Sequence, residues 1–318
     1  MKLQPSPTDT SYNRPIVWRS VFNNVLRALA LLASLSIVSA QATVVGKTGS
    51  VRSSEGSMLH YRLFGAPSAK RPLLVLIHGW SCDETYWDAQ LDTLRRDYPV
   101  VTLDLAGHGR SSADREDWSM RAYGRDVASV VRALPGSAPV VLVGHSMGGP
   151  VAVEAALALG DRVIAVIGVD TFKNVGLPPP SAADTDQRLR AFAADFRTTT
   201  QIFVSKSFFR DDADPAFVTR IADAMASGNP TVGMASIREL NNWDGRNAMS
   251  RLHVPIIAIN ADHGAPTDAD RIRGFAPSFR YVPFAGAGHF LMMEQPERFN
   301  ALLLEELAAL KGANVHRP

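Results

Sequence analysis

Gly144-His145-Ser146-Met147-Gly148 decides how the rest of the chain is read. It is a G-x-S-x-G pentapeptide. Residues 138–143 before it are short, apolar and β-branched, and predict a buried strand. Residues 150–159 after it predict a helix that stops at Gly160. A strand, a tight turn carrying a serine and then a helix lift the serine hydroxyl clear of a sheet edge. Such a turn holds the serine backbone in a sparsely populated conformation. The flanking glycines leave room where a Cβ would collide with neighbouring elements. The helix N-terminus brings free N–H groups and a positive dipole end to the place where an oxyanion would form. Ser146 is therefore the candidate nucleophile, and the backbone N–H of Met147 a candidate oxyanion donor.

Outward from this unit, apolar strand patterns alternate with helical ones. Residues 73–77, 100–104 and 163–169 predict strands, and residues 86–95 and 123–134 predict helices. Residues 43–65 predict a hairpin around the turn-rich cluster at 53–57. Strands this apolar, separated by helices, imply a parallel sheet covered on both faces, and so an α/β fold. The rhythm breaks between Lys173 and Ser250. Pro178-Pro179-Pro180 opens a stretch with helical patterns at 187–196 and 215–227, no strand, and Phe192, Phe196, Phe203, Phe208, Phe209 and Phe217. This predicts a helical cap over 173–250, inserted into a core formed by 43–172 and 251–311. The cap is expected to choose the substrate and to contribute little to the chemistry. Alternation resumes with strands at 255–259 and 279–284 and a helix opened by Pro296.

Composition narrows the function classes. Hydrophobic residues make up 46% of the 318, enough for a sizeable core. The formal charge of +2 is misleading: Lys2, Arg14, Arg19 and Arg27 against Asp9 give the first 40 residues three positive charges, leaving −1 for the remainder. No basic face suggests a nucleic-acid partner. Cys82 is the only cysteine, which excludes an internal disulfide and a cysteine-based metal site. Its expected role is that of a small buried side chain. Residues 1–40 read as an export signal: basic residues precede an apolar run of about 11 residues, too short to span a bilayer comfortably, and Val38-Ser39-Ala40 offers a cleavage site. The expectation is an exported chain with no membrane span after cleavage near Ala40.

Three further pieces carry chemistry. His78-Gly79-Trp80 ends the 73–77 strand, so the backbone N–H of Trp80 is a candidate second oxyanion donor. Gly286-Ala287-Gly288-His289-Phe290 follows the last strand, and a histidine on such a loop can reach across the sheet edge to the serine. His145 reads as packing within the turn. The third piece is a carboxylate to hold the imidazole, because a histidine accepts the serine proton well only when its other nitrogen is fixed. Asp262 and Asp170 both follow strand ends, and local reading leaves both open. Asp83 and Glu84, just past Trp80, read as solvated charges or as caps of the next helix. The G-x-G at Gly107 and Gly109 lacks a third glycine, so no nucleotide cofactor is expected, nor any metal.

The chain resembles the α/β-hydrolase superfamily from about Ser50 to Leu310. The resemblance rests on V-L-I-H-G-W at 75–80, D-L-A-G-H-G-R-S at 104–111, G-H-S-M-G-G at 144–149 and G-A-G-H-F-L-M-M-E-Q-P-E at 286–297, in that order. It implies an eight-stranded, mostly parallel sheet with helices on both faces and an inserted cap. It also implies a cofactor-independent serine hydrolase that cleaves small carboxylic esters through an acyl-enzyme on Ser146, with His289 as the base. Relatives commonly place a proline four residues beyond the acid. Counting back from Pro266 with a two-residue shortening favours Asp262, with Asp170 the alternative, since some relatives use an acid after the sixth strand. A lactonase, a carbon–carbon bond hydrolase, an acyltransferase, a cofactor-free peroxidase and a non-catalytic receptor are the other functions the fold accommodates. A serine at the turn sets the chain apart from relatives of this fold that use aspartate there.

Overall fold

The computed structural model describes residues 46–68 and 71–313, so the export segment read at 1–40 lies outside the described residues. Eight strands form one sheet: β1 (Lys47–Arg52), β2 (Met58–Phe64), β3 (Leu73–Ile77), β4 (Val100–Leu103), β5 (Val140–His145), β6 (Val163–Val169), β7 (Ile256–Ala261) and β8 (Phe279–Phe284). Their order is β1-β2-β4-β3-β5-β6-β7-β8. β2 pairs antiparallel with both β1 and β4, and every pairing from β4 through β8 is parallel. The parallel strands β3, β4, β5 and β7 are buried at every residue, as a sheet covered on both faces requires. The strand order reverses around β3 and β5, and the loops leaving their C-terminal ends border the crevice where α/β sheets place ligands.

Helices differ from the sequence expectation mainly at their ends. The pattern at 86–95 becomes a 3-10 turn, Glu84–Trp87, followed by a helix, Asp88–Leu94. The pattern at 187–196 falls within two helices, Ala182–Ala194 and Phe196–Ser207. Asp195 separates them: its extended backbone ends the first, and its carboxylate accepts the Thr198 N–H to cap the second. Five helices lie between β6 and β7, the others being Pro215–Ala226, Pro230–Asn242 and Gly245–Ser250. One hydrophobic cluster runs from the sheet into these helices through Trp80, Phe192, Phe196, Val204 and Phe209. Among the described residues, no helix is long and apolar enough to cross a membrane.

Glu84 departs from its expected solvated role. It is almost wholly buried and its carboxylate meets Arg62, Arg110 and the Thr102 hydroxyl. Its own N–H donates to Asp104, whose other oxygen accepts the Arg110 N–H at 2.9 Å. His60, Glu84 and Asp104 stand close enough together to hold a cation. The two arginines already neutralise that cluster, which acts as an ion-pair network tying β2 and β4 to the turn after β3. Asp83 caps that turn by accepting the Thr85 N–H.

Candidate active site

Ser146 stands at the turn between β5 and the helix Gly148–Leu159, with φ +51°, in the left-handed region that a non-glycine residue rarely adopts. The flanking glycines are sterically required. A Cβ on Gly144 would overlap the Gly148 carbonyl, and one on Gly148 would sit 2.5 and 2.6 Å from the carbonyl oxygens of Ile77 and His78. The strained turn is anchored on both sides: the Ser146 N–H donates to the Val169 carbonyl at 2.9 Å, and the Thr171 hydroxyl donates to the Ser146 carbonyl at 2.8 Å. Met147 precedes the helix, so its N–H belongs to the first-turn donors that lack an intrahelical acceptor.

The loop after β3 lies directly against the nucleophile, since a Cβ on Gly79 would come within 3.2 Å of the Ser146 Cβ. A buried imidazole stiffens this edge. His78 Nδ1 donates to the Gly79 carbonyl at 2.8 Å while its Nε2 accepts the Leu105 N–H at 3.0 Å, which fixes a neutral tautomer. Burial pushes its pKa down to about 4. Trp80 turns its indole away from the loop, and its Nε1–H donates to the Gly233 carbonyl at 2.8 Å, latching the loop to the helix Pro230–Asn242.

His289 is held from four directions. Its Nδ1 donates to Asp170 Oδ2 at 2.6 Å. Its N–H donates to the Phe208 carbonyl at 2.7 Å, and its own carbonyl accepts from His145 Nε2 at 2.9 Å. The Phe208 ring covers the imidazole with centroids 4.4 Å apart. Glu294 braces the loop by accepting the N–H groups of Gly288 and Phe290 at 2.8 and 3.1 Å. His145 is fully buried, and desolvation followed by the neighbouring His289 brings its pKa down to about 3, so it serves as a neutral strut.

The acid preferred from the sequence is corrected here. Asp262 does not meet His289. Its side chain is about half exposed, accepts the Gly286 N–H at 3.0 Å and lies 3.7 Å from Arg210, so it supports the far end of the histidine loop. Asp170 is buried and holds the imidazole. β6 is the immediate neighbour of β5, and Val169 pairs with His145, so the next residue emerges beside the serine turn. The left-handed backbone of Asp170, φ +45°, and of Phe172, φ +66°, curls the chain back on itself there. Asn260, a buried polar residue of β7, fixes this turn by accepting the Thr171 N–H and donating to the Thr171 carbonyl. The Asp170 carboxylate also accepts the Ala261 N–H at 3.0 Å and the Lys173 ammonium at 2.8 Å. Burial alone would raise its pKa. The hydrogen bond and charge of His289, then those of Lys173, outweigh burial and hold it below the ordinary carboxylate range.

The sequence reading missed Thr171, Lys173, Asn260 and Glu294. Of these, only Glu294 fell inside a quoted motif. The expectation that the insert contributes little to the chemistry also changes, because the Phe208 carbonyl and ring contact His289 directly and Lys173 contacts Asp170.

The buried imidazoles predict steep acid sensitivity. His78, His108 and His145, with pKa values of about 4, 3 and 3, are neutral when folded and titrate near the ordinary value of 6.5 when unfolded. Below about pH 6.5 the unfolded chain therefore binds protons that the folded chain does not. Each histidine then removes about 1.4 kcal/mol of stability per pH unit until its folded pKa is reached. Urea midpoints measured from pH 7 to pH 4.5 are expected to fall steeply below pH 6. A flat profile across that range would show that these imidazoles are not held neutral.

Residues 74–302 match the model of the alpha/beta hydrolase family. The biotin biosynthesis bifunctional protein of Cellvibrio japonicus is 29% identical over 240 residues, covering 72% of this chain and 46% of that protein, so the chain spans less than half of that relative. The pimeloyl-acyl-carrier-protein methyl ester esterase of Vibrio atlanticus is 26% identical over 256 residues, 74% of this chain and 95% of that enzyme. Among solved structures, a thermophilic esterase from Thermogutta terrifontis superposes with a TM-score of 0.71 at 23% identity, over 83% of this chain and 99% of its own. The family match takes in the serine turn, the acid turn and the histidine loop on one sheet, and the chain belongs to the alpha/beta hydrolase family.

Proposed function

We propose that this protein is a serine hydrolase that cleaves carboxylic esters of small molecules through an acyl-enzyme on Ser146. The observation that carries the reading is the 2.6 Å bond from His289 Nδ1 to Asp170 on the same sheet edge as a strained serine turn. With Nδ1 donating, Nε2 keeps its lone pair and can accept the Ser146 proton. Ser146 Oγ attacks the acyl carbon. The resulting oxyanion is received by the N–H groups of Met147 and Trp80, and Asp170 stabilises the imidazolium. His289 then passes its proton to the leaving alcohol, and water activated by the same imidazole releases the acid. The ester-cleaving relative named above supports this choice of bond. Export, with a mature chain beginning near Gln41, completes the proposal.

An apolar roof over the site favours an apolar acyl group. Phe192, Phe196 and Phe203 meet the Trp80 indole edge-on, with centroids 5.9, 6.0 and 6.4 Å away, and Phe208 bridges Phe203 and His289. Phe209 and Phe217 pack on each other instead, and Phe209 stacks on Phe290. Turnover on p-nitrophenyl esters of increasing chain length tests both the activity and the roof. Ester hydrolysis by the wild type is expected. Phe203→Ala and Phe208→Ala are expected to shift the preferred chain length, with each buried methylene favouring binding by up to about 0.8 kcal/mol, a factor of about four. Phe217→Ala is expected to leave it in place. No turnover on any ester would refute the activity, and an unchanged preference in both roof variants would remove the roof from substrate selection.

A further inference from the structure

Lys173 is the one charged group in the acid turn that the proposed chemistry leaves unused. Its side chain is 12% exposed, and its ammonium reaches Asp170 Oδ1 at 2.8 Å, the His263 carbonyl at 2.8 Å and the Ala261 carbonyl at 3.3 Å. Asp170 therefore stands between the Lys173 ammonium on one oxygen and the His289 imidazole on the other. A carboxylate with no other partner would favour the protonated imidazole, and a base that is already protonated cannot accept the serine proton. The ammonium beside the opposite oxygen offsets that pull. We infer that Lys173 is a positioning residue that keeps His289 unprotonated, and so competent as a base, to lower pH than the Asp170 carboxylate alone would permit.

The inference rests on the proposed role of His289. Other groups around the pair do not duplicate the lysine: Arg271, the other cation on this turn, donates to the backbone carbonyls of Lys173 and Val175. His145, from β5, is neutral and buried against both His289 and Asp170. Glu294, beyond the histidine loop, and Tyr281, from β8, contribute no positive charge, and burial raises the pKa of both. Asp262 is engaged by Gly286 and Arg210, and His263 Nε2 lies 3.2 Å from the Ser207 carbonyl. Among these neighbours, Lys173 alone places a positive charge on the Asp170 carboxylate.

The test is the protonation of the His289 ring, followed by NMR in histidine-labelled protein without substrate and set beside the pH profile of kcat/KM. Neutralising the ammonium in Lys173→Gln, and independently in Lys173→Met, is expected to move the ring titration and the acid limb of kcat/KM upward together by roughly one pH unit. Lys173→Arg, which keeps the charge, is expected to stay within about 0.3 unit of the wild type. A ring titration that stays in place or moves downward in the neutral variants overturns the inference, even if turnover falls, because a purely structural tether would lower kcat without moving the titration. The NMR readout needs no ester. A moved ring titration in a protein without ester turnover would leave this inference standing and refute the esterase reading.

Discussion

Asp170→Asn is expected to lower ester turnover by about 10⁴-fold, whereas Asp262→Asn changes it by no more than about threefold. An amide at 170 cannot stabilise the imidazolium. It can also present its NH₂ to Nδ1, which puts the imidazole proton on Nε2, where it blocks acceptance of the serine proton. At 262 the substitution retains an acceptor for the Gly286 N–H and removes only a charge from a half-exposed loop. Circular dichroism and urea midpoints identify folded variants, and kcat/KM at pH 8 gives the ranking. The reverse ranking in folded proteins would return the acid to the loop after β7 and refute the assignment made from the 2.6 Å contact.

The competition between these carboxylates shows where sequence reasoning reached its limit. Each follows its strand directly, β6 for Asp170 and β7 for Asp262, so spacing along the chain does not separate them. They are separated by two left-handed residues, by Asn260 reaching across from β7, and by Lys173 folding back, all long-range or conformational features without a local pattern. The serine turn was legible for the opposite reason. Its glycines are dictated by collisions within a few residues and with the adjoining β3, and its strand and helix carry clear hydrophobic patterns. The interrupted strand rhythm located the helices between β6 and β7 but gave no hint that the Phe208 carbonyl would hold the histidine. Glu84 misled because its two arginine partners come from β2 and from the loop after β4, distant in sequence.

Ser146→Ala is expected to show the largest loss, about 10⁶-fold in kcat, leaving only the residual rate supplied by substrate binding and oxyanion stabilisation. His289→Ala should fall nearly as far. The double variant should be little worse than either single one, because the two side chains act on one step and their losses do not add. Alanine at 146 also relieves no packing demand, since the left-handed turn is imposed by its neighbours, so the Ser146→Ala protein should fold and retain substrate binding.

The most direct measurement is to treat the wild-type protein and the Ser146→Ala variant with a fluorophosphonate and locate the adduct by peptide mass spectrometry. A stoichiometric phosphonyl adduct on Ser146, absent from the variant and strongly reduced in Asp170→Asn, is the result the account predicts. No adduct on the folded wild type, or an adduct on another residue that persists in Ser146→Ala, would contradict it.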